Sequence, residues 1–181
     1  MAPTLAFRED RATQAAALLL KLNRGRIGFP FMRHIKLIKL MYFADREALL
    51  RLGHFITYDR LVSMDNGPVL SRVLDLIKGN IPGPYWTRHI SRWLPWWVHL
   101  VSDPSTDQLS VAEEKILREV FQRYGHLRWG RIVDVCHELP EWRHPHGSSI
   151  TIEPREVLIG QNVSAEAADE IVADMVAGAS L

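Results

Sequence analysis

The sequence predicts a mainly α-helical fold: a compact single domain over residues 1–181 with a small antiparallel β-sheet or hairpin. Three observations carry that expectation. Apolar residues recur at helical spacing along most of the chain, glycine or proline punctuates almost every such segment, and only residues 85–101 are dominated by aromatic and β-branched side chains, with Pro95 at their centre.

The first helix is expected over residues 8–22, where Ala15, Ala16, Leu18, Leu19 and Leu22 supply an apolar face and Asn23 and Gly25 a stop. The second, residues 31–52, is the longest and ends at Gly53; Leu37, Ile38, Met41, Tyr42, Leu49 and Leu52 cover a wide arc, so it reads as the central helix of the core. The period then changes. Residues 59–65 read as a short strand entering an Asn66-Gly67-Pro68 turn, with a helix over residues 69–78 closed by Gly79. A loop over residues 79–84 leads into the hairpin of residues 85–101, and residues 103–108 form a second loop. Ser110-Val111-Ala112-Glu113 is a capping box for a helix to Tyr124. Short helices over residues 129–138 and 154–159 and a last one over residues 165–176, capped by Ser164, complete a set of six or seven around one sheet; residues 143–151 read as loop.

Composition removes several function classes. With 47% hydrophobic and 24% charged residues the chain is neither disordered nor low-complexity. One cysteine, Cys136, excludes an intrachain disulfide framework and fits a reducing compartment, with the cytoplasm as the default. The longest strongly apolar run, residues 15–20, is far short of the roughly 20 residues of a membrane span, and residues 1–8 lack the features of a secretion signal. Charge is divided: residues 1–100 hold 15 Lys and Arg against 7 Asp and Glu, residues 101–181 hold 7 against 14. The basic residues form no run, which points to halves that attract each other, within the fold or between subunits of an oligomer, rather than to a nucleic-acid-binding arm.

Four constellations have chemical potential. His137, His144 and His146, with Cys136, Glu138 and Glu141, are ligand types whose spacing is poor for a metal site. Cys136, Ser148 and Ser149 are nucleophile types without a nucleophile elbow, and no glycine-rich phosphate loop or other cofactor motif is present. On the long helix, Phe43 and Leu50 fall among Lys36, Lys39, Arg46 and Glu47, an apolar centre ringed by charge that resembles a protein-binding surface; the alternative is that another element of the chain covers Phe43. Asp45 and His34 fall on the apolar side, where Asp45 is expected to brace a neighbouring loop or pair with an arginine. Finally, Trp86, Trp93, Trp96 and Trp97 crowd the hairpin, and Trp96 or Trp97 is expected at the surface or in a contact.

The string Lys36-Leu37-Ile38-Lys39-Leu40-Met41-Tyr42-Phe43-Ala44-Asp45 resembles the "KLxKLLYFAD" hallmark of the Panacea domain, the SocA-like antitoxin family also called a phage-associated domain. Asn66-Gly67-Pro68-Val69 is similar to the family's "NGPV" turn, and Val135-Cys136-His137-Glu138-Leu139-Pro140-Glu141-Trp142 to its "LTHxxPxW" element, with Cys136 in place of Thr. The resemblance implies a helical domain that neutralises a cognate protein toxin encoded beside it, in one member as an adaptor that delivers the toxin to a protease. It names no catalytic residue. The leading reading is therefore a non-enzymatic antitoxin with no cofactor or metal, contacting its partner through Lys36, Lys39, Phe43, Arg46 and Leu50 or through Trp96 and Trp97. An enzyme that reverses a toxin's modification and a DNA-binding regulator are the alternatives.

Overall fold

Alanine and leucine at helical spacing, closed by a left-handed glycine at Gly28, make the first element, α1 (Glu9–Ile27). It runs past Asn23 and Gly25 because the Asn23 side chain is buried and donates to the carbonyls of Phe29 and Phe31, clamping the following loop. The computed structural model describes residues 6–178; of the stretch read as free of a secretion signal, residues 1–5 lie outside the described residues. After α1 come β1 (Phe31–Arg33), α2 (His34–Leu52), β2 (Leu61–Met64), β3 (Gly67–Leu70), α3 (Ser71–Lys78), α4 (Pro84–His89), β4 (Ile90–Trp93) and β5 (Trp97–Leu100). The chain continues through α5 (Val111–Tyr124), α6 (Trp129–His137), β6 (Ile150–Ile152), α7 (Pro154–Gly160) and α8 (Ala165–Gly178). The fold is mainly α, with two three-stranded antiparallel sheets, β1-β5-β4 and β3-β2-β6, where one was expected.

Local signals placed many boundaries. Gly53 and Gly79 adopt left-handed caps after α2 and α3, and both halves of the Ser110–Glu113 capping box are made. Four expectations need correction. Phe31 to Arg33 are a strand, a stretch too short for periodicity to separate from the helix that follows. Gly67 and Pro68 open strand β3 rather than a helix; among the described residues β3 pairs only with β2, and an edge strand tolerates a residue without an N–H. The start of the expected hairpin is helix α4, stabilised from a distance: Glu9 Oε1 accepts from the N–H groups of Tyr85 and Trp86 at 2.9 and 2.8 Å. The expected loop over residues 143–151 runs into β6, which pairs with β2.

Helix α2 is the axis of the molecule. It packs against α1, α5, α6, α7, β1 and β3, and its residues from Leu37 to Arg46 are all buried. One apolar cluster joins it to the other elements, with Leu37, Leu40, Met41, Tyr42 and Ala44 all inside. The opposed charges of the two halves meet within the fold, in the pairs Arg11–Glu113, Lys21–Asp103, Arg46–Glu141 and Arg51–Glu119. No helix among the described residues is long and apolar enough to cross a membrane.

Candidate partner-binding surface

The polar residues of α2 point inward and tie distant segments together. Lys39 Nζ donates to the carbonyl of Pro68 at 2.8 Å, fixing the β2–β3 hairpin on the helix. Tyr42 Oη donates to Glu141 Oε1 at 2.8 Å, and Arg46 Nε donates to the same oxygen at 2.6 Å. Asp45 accepts from the backbone N–H groups of Ile56 and Thr57 and from the Thr57 hydroxyl, bracing the loop after α2 as expected. The circuit is closed at the hairpin: Trp142 Nε1 donates to Met64 O at 3.0 Å, and His137 Nε2 lies 3.0 Å from Asp65 O. The three sequence motifs thus meet in one clasp, buried at Lys39, Tyr42, Arg46 and Glu141 and open to solvent at Asp65.

Burial sets the electrostatics of that clasp. It pushes Lys39 down to about 8, raises Asp45 to about 7 against the three bonds that favour its charged form, and raises the Cys136 thiol to about 12. Tyr42 is raised by burial and by the neighbouring Glu141 carboxylate. Gly67 closes on the clasp from the hairpin side: its φ is +90°, and a Cβ there would meet Cys136 Cβ at 2.7 Å.

This geometry corrects the reading of α2 as an exposed docking face. Phe43 is only 3% exposed and stacks on Tyr124 of α5, ring centroids 4.3 Å apart. Lys39 and Arg46 are buried in the clasp, Leu50 is half-buried against the core, and Lys36 spends its ammonium on the carbonyl of Gly125 at 2.5 Å. A helical wheel shows the faces of one helix, and here α5, α6 and α7 cover the face that the wheel left to solvent. The alternative contact, the hairpin tryptophans, remains available.

Trp97 lies on the outer face of the β1-β5-β4 sheet. Register places Phe31 beside His99, Arg33 beside Trp97, and Trp97 beside Trp93, all on the side opposite core-facing Met32, Val98 and Ile90. The rings form a continuous surface: Phe31 to Trp93 at 4.4 Å, Phe29 edge-on to Trp97 at 5.9 Å, and Phe31 to His99 at 5.1 Å. Arg33 lies over Trp97 and Trp129 at 5.2 and 5.9 Å, extending the patch to α6. Trp96, in the hairpin turn, is 57% exposed and stacks on His34. Phe29, Trp93, Leu94 and Trp129 are exposed as well, an amount of aromatic surface that marks interaction sites. Sequence reasoning missed Phe29, Phe31 and Arg33, because only the pairing of β1 with β5 brings them beside the tryptophans, and Trp129, which comes from α6 and joins the patch through Arg33.

Arg33, on this face, has no carboxylate within ion-pair distance among the described residues. Burial, and then the positive charges of Lys78, Arg33 and Arg92, hold His34 below the usual histidine range despite its bond to Trp96 O. Beside Phe31, His99 Nδ1 is buried without a hydrogen-bond partner among the described residues.

The other constellations take structural roles. His137 stacks on Trp142 at 4.1 Å and Glu141 turns inward, so no group of three or more His, Cys, Asp or Glu able to hold a metal forms among the described residues. Cys136 is buried as a neutral thiol, and the Ser148 hydroxyl donates to Pro145 O.

A family model described as Antitoxin SocA-like, Panacea domain, matches residues 37–143, from the first turns of α2 to just beyond Trp142. No curated protein and no solved structure matches the chain.

Proposed function

Since the chain belongs to the SocA-like antitoxin family of the Panacea domain, we propose that it neutralises a protein toxin by binding it directly, with the outer face of the β1-β5-β4 sheet as the contact. In this reading residues 1–181 act as one domain in the cytoplasm, without a cofactor, and the effect is stoichiometric rather than catalytic. The observation that carries it is the exposed aromatic surface of Phe29, Trp93, Trp96 and Trp129, together with Arg33, which lies over Trp97 and Trp129 and has no acidic partner among the described residues. Tryptophan and arginine dominate binding energy where a partner excludes water from them. The uncompensated positive charge favours a toxin with an acidic surface and speeds its approach. The clasp has a different role: it holds α2, the hairpin and the Glu141 corner in one geometry, so that the sheet is presented on a rigid base.

The test is co-expression of this chain with the toxin encoded beside its gene. Wild type is expected to restore growth and to co-purify with the toxin at a fixed ratio, and Trp93→Ala/Trp96→Ala to do neither while remaining soluble. Restored growth with the toxin chemically altered and unbound would point instead to an enzyme; toxin loss that depends on a protease would point to an adaptor.

A further inference from the structure

The two sheets have four edges, and three of them carry a side chain on an outward main-chain group. Asn23 Nδ2 donates to Phe31 O on β1, Lys39 Nζ to Pro68 O on β3, and Arg143 Nη2 to Thr151 O on β6, at 3.2, 2.8 and 3.5 Å. The fourth edge, β4, is open. The bond from Val101 N to His89 O and the register of β4 on β5 turn the N–H and C=O groups of Ser91 and Trp93 toward β5, because bonded pairs alternate along an antiparallel ladder. Ile90 and Arg92 therefore face outward. The Ile90 N–H is taken by Trp86 O at the end of α4, whereas the N–H and C=O of Arg92 have no hydrogen-bond partner among the described residues. Unpaired main-chain groups on an exposed edge are a template for another strand.

A cavity of about 200 Å³ lies along this edge, on the core-facing side of the sheet. Leu76 and Ile77 of α3, Trp86 of α4, and Ile90 and Val98 of the sheet give it an apolar lining, and the exposed Lys78 and Arg92 complete the wall. Neither cation has a carboxylate within ion-pair distance among the described residues. The volume is below the roughly 300–1,000 Å³ of small-molecule sites and suits one side chain delivered by a neighbouring strand. The edge is also continuous with the aromatic face. Trp93 belongs to β4 and pairs with Trp97, and the charges of Lys78, Arg33 and Arg92 all reach His34, which stacks on Trp96.

We infer that an extended segment of the toxin joins β4 as a fourth strand of the sheet. Its main chain accepts from Arg92 N–H and donates to Arg92 C=O, one apolar side chain fills the cavity, and acidic residues beside it answer Lys78 and Arg92. The inference rests on the reading that the toxin docks on the β1-β5-β4 sheet, and it adds the form of the bound segment and the residue types in it. A toxin that lies on the tryptophans alone leaves Arg92 N–H in water.

The experiment is isothermal titration of the full chain with the toxin encoded beside its gene, using Arg92→Ala, Arg92→Pro and Trp93→Ala/Trp96→Ala. Proline removes the outward N–H and nothing that the sheet uses, since an edge strand accepts it where the N–H faces away from the ladder. Arg92→Ala is expected to bind about threefold more weakly than wild type, the loss of an exposed charge. Arg92→Pro is expected to bind at least about tenfold more weakly than Arg92→Ala, from the lost main-chain bond and the intruding ring. Hydrogen exchange on the wild-type complex gives a second reading: the Arg92 amide is expected to exchange at least about tenfold more slowly bound than free. Arg92→Pro binding like Arg92→Ala, or an Arg92 amide equally fast in both states, overturns the inference, the second even where Arg92→Pro does not fold. The tryptophan variant separates the two claims. Weak binding by it with full binding by Arg92→Pro leaves the aromatic face and removes the added strand; the reverse leaves the added strand and removes the face.

Discussion

Arg46 and Glu141 stand 95 residues apart in the chain and meet inside the fold, Nε to Oε1 at 2.6 Å, with both side chains almost wholly removed from water. The pair joins the central helix to the segment after α6. Tyr42 shares the same carboxylate oxygen, so Glu141 neutralises one charge and satisfies one hydroxyl at once.

Removing one partner leaves the other charge buried alone. Glu141→Ala is therefore expected to lower stability by about 3–5 kcal/mol, and Arg46→Met/Glu141→Leu by clearly less than Glu141→Ala, because it leaves no unpaired ion. Urea melts of the three proteins check this; a double variant as unstable as Glu141→Ala contradicts it.

Asp45 gives a pH signature. Its carboxyl is raised from 3.8 to about 7, chiefly by burial, so between those values the folded state holds a proton that the unfolded chain has released. Stability from this group is fully present below about pH 4 and is lost as pH rises through 7. Wild type is thus expected to lose stability relative to Asp45→Asn between pH 4 and 7, read by urea melts at four pH values. A gap that widens in favour of wild type over that range contradicts the assignment.

Core positions on α2 differ sharply from their neighbours. Leu37→Ala is expected to cost about 2–5 kcal/mol and Phe43→Ala about 3–5 kcal/mol, since both side chains are buried and Phe43 stacks on Tyr124. Lys36→Ala is expected to cost about 0.5–1.5 kcal/mol, the value of its bond to Gly125 O. Thermal melts separate these outcomes; Phe43→Ala melting like wild type means that α5 does not cover it.

How far the sequence discloses this molecule depends on the range of the interaction. Ser110 with Glu113, and Gly53 after Leu52, act within one turn, and the helices they bound were legible. Asp45 was legible as a brace because a carboxylate on an apolar helix face must find donors. Phe43 and Arg46 were misread because their covers, Tyr124 and Glu141, come from segments about 80 and 95 residues further on. Half of the candidate surface was visible as Trp96 and Trp97; the other half depends on β1, three residues whose strand character is decided by pairing with β5 rather than by their own pattern.

The central claim is that the aromatic sheet face, and not α2, binds the toxin, and isothermal titration of the purified toxin against matched variants tests it most directly. Trp93→Ala/Trp96→Ala is expected to weaken binding at least about thirtyfold, the loss of about 2 kcal/mol that marks a hot spot, with its melting temperature within a few degrees of wild type. Full affinity in that folded variant, with binding lost on substitution of exposed residues elsewhere, contradicts the account.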